Sequence, residues 1–547
     1  MRLSKSNSTT RSRDRELRAN LASAIATRTP GRHTRERAFD GWLEKIGSLE
    51  GLQGLSAVLA RAGLFDVLCE RHAVRDVDGE RLTMTVVRAA TTDMWPMGTH
   101  FWVRDTALIG ARFLDGEDPS AVRLGKALLL SAVSFMSTVS QLGRFHAIIR
   151  SKSRAHKRDP LRWPYIFAAV RDNLNAARDE SWSHRQDAWQ IAAWHTLSAI
   201  ERGRLSVRDL TAKHRQFLGA IVPFLISVDF VTMESSGSWE EVAAVRSSVR
   251  AWEHRLIVKL AELSAKREFS FLSREFLKLR KFLPAPYRQR TLAQAASLIE
   301  RRAIAAMVRD LPFESPGYPK SDVRYRTGDG ALIYLLMLDY PRFLAERAGK
   351  GAAWGARLEK QVLAQVLKLV DSKSGGVYRY GDDSYQRCGF FRNETVETLN
   401  RLFGGPSGDA SLQIATRNKV VPKGRKAAWT HFVWQLAAWA GERFLETGTK
   451  RYQQLHERFF RSGLGLVTGA REVSWEVGPD GHTRIIRVPK LRMPECYVAE
   501  LSPSGKEMIF PSPHTPLNWA VGEMFNAFQV REQVLAQQAD RRHVAAA

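Results

Sequence analysis

Two short runs set carboxylates beside large aromatic side chains. Ser238-Trp239-Glu240-Glu241-Val242 puts two adjacent acids after a tryptophan, and Met493-Pro494-Glu495-Cys496-Tyr497 puts one acid after a proline. Glu240 and Glu495 read as facing one another across a substrate pocket, one giving a proton and the other taking one. Glu500 and Glu507 are reserve candidates for the second position. On its own, Trp239-Glu240-Glu241 is also how an ordinary helix begins, with acids complementing the helix dipole.

Further runs share this mixture of aromatic planes and charged hydrogen-bonding groups. They are Phe101-Trp102-Val103-Arg104-Asp105, Ser181-Trp182-Ser183-His184-Arg185-Gln186-Asp187, Arg379-Tyr380-Gly381-Asp382-Asp383-Ser384-Tyr385 and Thr515-Pro516-Leu517-Asn518-Trp519. The mixture suits a sugar, whose apolar ring faces stack on Trp and Tyr while its hydroxyls meet carboxylates and guanidinium forks. The Asp382-Asp383 pair has too few oxygen ligands around it for a calcium loop, so no metal is expected. No cofactor is implied: neither a glycine-rich dinucleotide fingerprint nor a phosphate loop occurs. Cys496 beside Glu495 has no histidine at a spacing that would make a thiol nucleophile.

The elements that must position these residues are mostly helices. Apolar residues recur at helical spacing over 106–114, 121–145, 164–178, 187–202, 207–225, 240–266, 292–307, 331–347, 353–371, 396–402, 426–447, 452–462 and 517–536. The chemistry-bearing runs fall in the loops, mostly at helix starts, which gathers them at one end of a helical assembly. Strand signals are few; a small hairpin is expected within 469–488, turning at Pro479-Asp480-Gly481-His482. Residues 1–38 form a basic tail rich in Ser and Thr. Residues 39–89 read as a helical lead-in, 90–530 as the main domain and 531–547 as a second tail.

Composition bounds the rest. The chain has 547 residues, 44% hydrophobic and 26% charged, as in a soluble globular protein. The apolar run at 127–136 is too short to span a bilayer. The N-terminus has no long apolar signal region, and the three cysteines form no disulfide framework, so the cytoplasm is the expected compartment. The net charge of +26 would suit a nucleic acid or an anionic membrane surface. No nucleic-acid-binding motif accompanies it, so no specific nucleic-acid partner is expected.

Taken together and in order, the runs resemble glycoside hydrolase family 15, the glucoamylase-like enzymes. Trp102 to Asp105 is similar to that family's W-x-R-D motif, Trp239-Glu240-Glu241 to its W-E-E motif, and Arg379 to Tyr385 to its R-Y-x-x-D-x-Y motif. Pro494-Glu495 is similar to its P-E motif, and Thr515 to Trp519 to the start of its last inner helix. The resemblance covers about residues 90–530. It implies an all-α (α/α)6 barrel with a small irregular or hairpin insertion, and an inverting, exo-acting α-glucosidase. Such an enzyme releases glucose from the non-reducing end of α-glucans or oligosaccharides. Glu240 would be the general acid and Glu495 the general base. Arg104, Asp105 and Arg379 would hold the terminal glucose, with Trp102, Tyr380 and Trp519 lining the pocket. Glu241 and Trp182 would shape the site around the scissile bond. The second motif is one residue shorter than the family's W-x-x-x-Q-x-D, so Trp182 is expected to matter more than Asp187. The alternative is a non-catalytic carbohydrate-sensing barrel resembling phosphorylase kinase regulatory subunits.

Overall fold

The structure is a computed structural model that describes residues 40–65, 67, 69–75, 81–88, 100–159, 162–169, 187–239, 243–381, 383, 427–477, 483–501 and 507–546. The basic tail, the expected helix at 396–402, the expected turn at 479–482, and Trp182, Glu240 and Glu241 lie outside the described residues.

Six helices close a ring. They belong to the series α1 (Leu49–Arg61), α2 (Val103–Leu114), α3 (Pro119–Met136), α4 (Val139–Arg150), α5 (Arg154–Arg158), α6 (Asp187–Glu201), α7 (Ala212–Val228), α8 (Ser247–Leu263), α9 (Leu292–Asp310), α10 (Ile333–Met337), α11 (Tyr340–Arg347), α12 (Ala352–Leu367), α13 (His431–Thr447), α14 (Lys450–Leu464) and α15 (Asn518–Ala546). α2 packs on α6, α6 on α8, α8 on α10, α10 on α13, α13 on α15, and α15 back on α2. Around this ring α3 packs on α2, α9 on α8, α12 on α10, α14 on α13 and α1 on α15. α7 reaches α6 through the edge-on contact of Phe224 with Trp189. Six inner helices, each with an outer partner, make the expected (α/α)6 barrel.

Composition decides which helix is inner. α13 reads His-Phe-Val-Trp-Gln-Leu-Ala-Ala-Trp-Ala-Gly and is buried on every side, whereas α14 is strongly charged and buries only His456, Phe459, Phe460, Gly463 and Leu464. A helix apolar all round must be enclosed, and one with a single stripe suits an outer layer. Layer spacing also depends on glycine: a Cβ on Gly125 of α3 would stand 2.3 Å from the Leu114 backbone nitrogen of α2.

Several expected elements differ. The run 121–145 is two helices, because Thr138 caps a new one by accepting from the Gln141 N–H. The run 331–347 breaks at Asp339, which adopts φ 48°, with Pro341 following in the first turn of α11. Of the expected helix at 164–178, the described residues 164–169 hold β4 (Phe167–Ala169), paired with β3 (His100–Trp102), and 170–178 lie outside the described residues. Residues 39–89 are not a purely helical lead-in. After α1 comes an antiparallel pair, β1 (Cys69–Arg75) and β2 (Arg81–Val87), and the β-branched run Thr85-Val86-Val87 favours a strand. α1 also belongs to the barrel, as the outer partner of the last helix. That helix continues past 530 to Ala546, burying Val534 and Leu535.

The expected hairpin is present as β7 (Val473–Val477) and β8 (Thr483–Arg487). A four-stranded antiparallel sheet was not legible in the sequence. Its order is β10-β9-β6-β5, from β5 (Val377–Tyr378), β6 (Ala428–Trp429), β9 (Cys496–Leu501) and β10 (Glu507–Pro511). No single helix among the described residues is long and apolar enough to cross a membrane.

Candidate active site

The inner helices run parallel. α2 and α6 meet at their starts through Arg104 and Asp187 and at their ends through Asp115 and Arg202. The residues at the helix starts therefore share one mouth, and the N-terminal dipole ends of the ring point into it.

One side of the mouth is built around Arg104, in the first turn of α2. Its Nη1 donates to Asp187 Oδ2 at 3.0 Å and to the Ser238 carbonyl at 3.2 Å. Ser238 Oγ donates to the same carboxylate oxygen at 3.1 Å. Asp187 is the first residue of α6, where the dipole favours a carboxylate. The Arg104 guanidinium also lies 5.3 Å from the Trp519 ring centroid. Trp519 stacks on His431 with ring centroids 3.9 Å apart, and its Nε1 donates to Glu523 at 3.2 Å. Burial, then the neighbouring Arg104 charge, hold His431 well below its ordinary pKa and hence neutral. Neither of its ring nitrogens has a hydrogen-bond partner among the described residues. Asp105 and Trp102 are buried alongside.

The other side is built around Asp329, which lies just before α10. Trp239 Nε1 donates to Asp329 Oδ1 at 2.5 Å, and the Ala331 N–H donates to the same oxygen at 2.9 Å. Arg326 Nη1 donates to Oδ2 at 3.0 Å. Arg326 in turn covers the Tyr380 ring at 3.6 Å. The Gly330 N–H donates to the Arg379 carbonyl at 2.6 Å. Arg379 grips Asp383 as a fork, Nε to Oδ2 at 2.8 Å and Nη2 to Oδ1 at 2.6 Å. Its guanidinium lies 5.5 Å from the Trp239 ring and 5.8 Å from the Trp429 ring. Gly237 has φ +62°, a conformation suited to glycine, and turns the chain into Trp239. A carboxyl behind this side, Glu314, is pushed up to about 7 by burial and then by the nearby Asp329 charge. It accepts from the Ser248 N–H and hydroxyl at the start of α8.

Glu495 stands at the head of β9 and is 1% exposed. Its N–H donates to the His514 carbonyl at 3.0 Å, its own carbonyl accepts from the Thr430 N–H at 3.2 Å, and Ser512 Oγ donates to Oε2 at 3.2 Å. The next residue, Cys496, pairs with Trp429 across the β6–β9 ladder. Burial, then the adjacent Glu495 charge, push the Cys496 thiol far up, so it is no nucleophile. Glu500 and Glu507 fall at the far end of the β9–β10 ladder, remote from Glu495.

Of the expected site residues, Trp102, Arg104, Asp105, Arg379, Tyr380, Glu495 and Trp519 are all buried in these elements around the mouth. Trp182, Glu240 and Glu241 fall outside the described residues. Asp187, which was expected to matter less than Trp182, is the direct partner of Arg104. Asp329, Arg326 and His431 were missed. Asp329 did carry a signal, since an Asp between glycines before an apolar run is a helix cap, and it caps Gly330–Leu332.

The chain matches no known protein family, and no curated protein is similar to it in sequence. Among solved structures it is similar to a glycosidase at TM-score 0.47 and 14% identity, covering 90% of this chain and 98% of that one. It is also similar to the glucoamylase of Saccharomycopsis fibuligera at TM-score 0.40 and 12% identity, covering 82% and 89%. A third is the family 15 glucoamylase of Hypocrea jecorina, at TM-score 0.42 and 11% identity, covering 82% and 67%. These likenesses are distant, and the chemistry of the site rests on its own residues.

Proposed function

We propose that the chain is an inverting, exo-acting α-glucosidase of the glucoamylase type, with Glu240 as general acid and Glu495 as general base. The observation that supports this reading is convergence. Arg104, Trp239, Arg379, Glu495 and Trp519 are far apart in sequence yet are linked through one set of contacts around the mouth.

Glu240 protonates the glycosidic oxygen as the bond breaks. Glu495 takes a proton from a water attacking the anomeric carbon from the opposite face, so the configuration inverts. Such a pair must stand roughly 6.5–9.5 Å apart to admit the water. The buried setting of Glu495, with the Ser512 hydroxyl donating to Oε2, suits a carboxylate that must be held in a fixed direction. Arg104, Asp105 and Arg379 bind the terminal sugar's hydroxyls, Trp102, Tyr380 and Trp519 supply apolar faces, and Glu241 and Trp182 border the scissile bond. Asp187, Asp329 and Asp383 act through the arginines and Trp239 and are positioning residues.

The test is hydrolysis of maltose, maltotriose, isomaltose, trehalose and soluble starch, followed by NMR quickly enough to see the anomer released. The reading expects β-glucose from wild type and none from Glu240→Gln. α-Glucose, or full activity in the variant, contradicts it. Saturable sugar binding without turnover would favour the regulatory-barrel alternative.

A further inference from the structure

A second concave site lies on the outer wall, away from the mouth. It is a pocket of about 500 Å³ between α5, the C-terminal end of α7, the segment Pro284–Tyr287 and the outer face of α9. Its walls carry Lys152, Arg154, Lys157, Arg158 and Arg302 against a single carboxylate, Asp229. Asp229 is already engaged by Arg302 at 2.9 Å, and Arg158 donates to Thr232 Oγ1 at 3.0 Å. Lys152, Arg154 and Lys157 have no side-chain hydrogen-bond or ion-pair partner among the described residues.

Some cations of the outer surface are paired, as Arg324 is with Asp322 and Glu234, and others stand without a side-chain partner among the described residues, as Arg267 and Lys360 do; what sets Lys152, Arg154 and Lys157 apart is that they line one concavity together. Three such cations around one concavity repel each other, and burial lowers the Lys157 pKa. The floor is different in kind, with Ile226, Val228, Leu298 and the buried Tyr287 lining it. A free inorganic anion would satisfy the rim and leave this floor uncovered.

We propose that this pocket binds a compact ligand that joins a phosphate-class polyanion to an apolar or planar body. The anion sits among Lys152, Arg154 and Lys157, and the body lies on the Tyr287 and Leu298 floor. Forked and point-charge donors together suit phosphate oxygens. The site is separate from the mouth and does not depend on the hydrolase reading.

The experiment is calorimetric titration of the full chain at about 50 mM salt, where charge screening is modest. The probes are adenosine triphosphate, which has both parts, and tripolyphosphate, which has the anion alone. One equivalent of the nucleotide is expected to bind, more tightly than tripolyphosphate. Removing two charge-assisted contacts in Arg154→Ala/Lys157→Ala should weaken it at least about tenfold. Glu240→Gln, at the mouth, and wild type should bind it within about twofold of one another. The double variant's thermal midpoint serves as the folding control, and Arg154→Gln/Lys157→Gln is the conservative replacement. Three results overturn the proposal: no saturable binding, binding unchanged in both double variants, or several equivalents bound per chain. Tripolyphosphate binding as tightly as the nucleotide overturns the assignment of the floor.

Discussion

The two sides of the mouth use the same parts and assemble them differently. On the Arg104 side, the residues stand in the first turns of helices: Arg104 on α2, Asp187 on α6, and the aromatic Trp519 on α15. On the Asp329 side they stand in loops and two-residue strands, and Asp329 alone collects Trp239, Ala331 and Arg326. The ring sets Arg104 and Asp187 side by side, and Ser238 of the loop bonds to both. The second side is fixed by hydrogen bonds among the loops themselves. Helical geometry therefore orients the Arg104 pair, whereas a single carboxylate orients the segment leading into Glu240.

The comparison is broken most severely by Asp329→Ala. That change leaves Arg326 and the Trp239 indole without their buried acceptor, and loss of one partner of a buried pair costs about 3–5 kcal/mol. Denaturant unfolding should show that loss, and hydrolysis should fall along with it because Trp239 is released. Asp187→Ala should cost a similar or slightly smaller amount, about 3 kcal/mol. A double-mutant cycle with Arg104→Met should give a coupling of about 1–3 kcal/mol, since the two side chains are in direct contact. Additive losses would show that the pair is not the link between α2 and α6.

Glu314 sharpens the comparison through pH. Its folded pKa of about 7 is above the ordinary 4.5, so the folded state holds the proton more tightly than the unfolded chain. That contribution is fully present below about pH 4.5 and is lost as pH rises through about 7. Glu314→Gln should therefore remove a decline of about 1–3 kcal/mol over this window. Parallel stability profiles for variant and wild type would contradict the assignment. Trp519→Phe is the smallest of the series. It keeps the stack on His431 and loses the Nε1 bond to Glu523, so the cost should be about 1 kcal/mol by thermal unfolding.

The same contrast explains what was legible. Most helices were legible from apolar residues at helical spacing; which of them are inner shows only in the structure, where an enclosed helix is apolar all round and an outer one has a stripe. The Arg104 side was partly legible because its residues sit at helix starts. Asp187 carries its own signal as a carboxylate at the head of α6, where the helix dipole favours it. Arg326 and Asp329 were not legible as a pair with Trp239, since nothing local ties residue 239 to residue 329. The four-stranded sheet failed for the same reason. β5 and β6 are two residues each, and their pairing joins segments far apart in the chain. α1 and the β1–β2 pair were read as a lead-in because only the packing of α1 on the last helix makes it the sixth outer helix.

The acid and base roles can be separated with one substrate pair, maltose and α-glucosyl fluoride. Fluoride leaves with little help from an acid, whereas the glucose of maltose must be protonated. Turnover of both should be compared for wild type, Glu240→Gln and Glu495→Gln. Glu240→Gln should lose maltose hydrolysis and keep much of its fluoride release, while Glu495→Gln should lose both because no base activates the water. Glu495→Gln with wild-type turnover of both substrates would contradict the central claim.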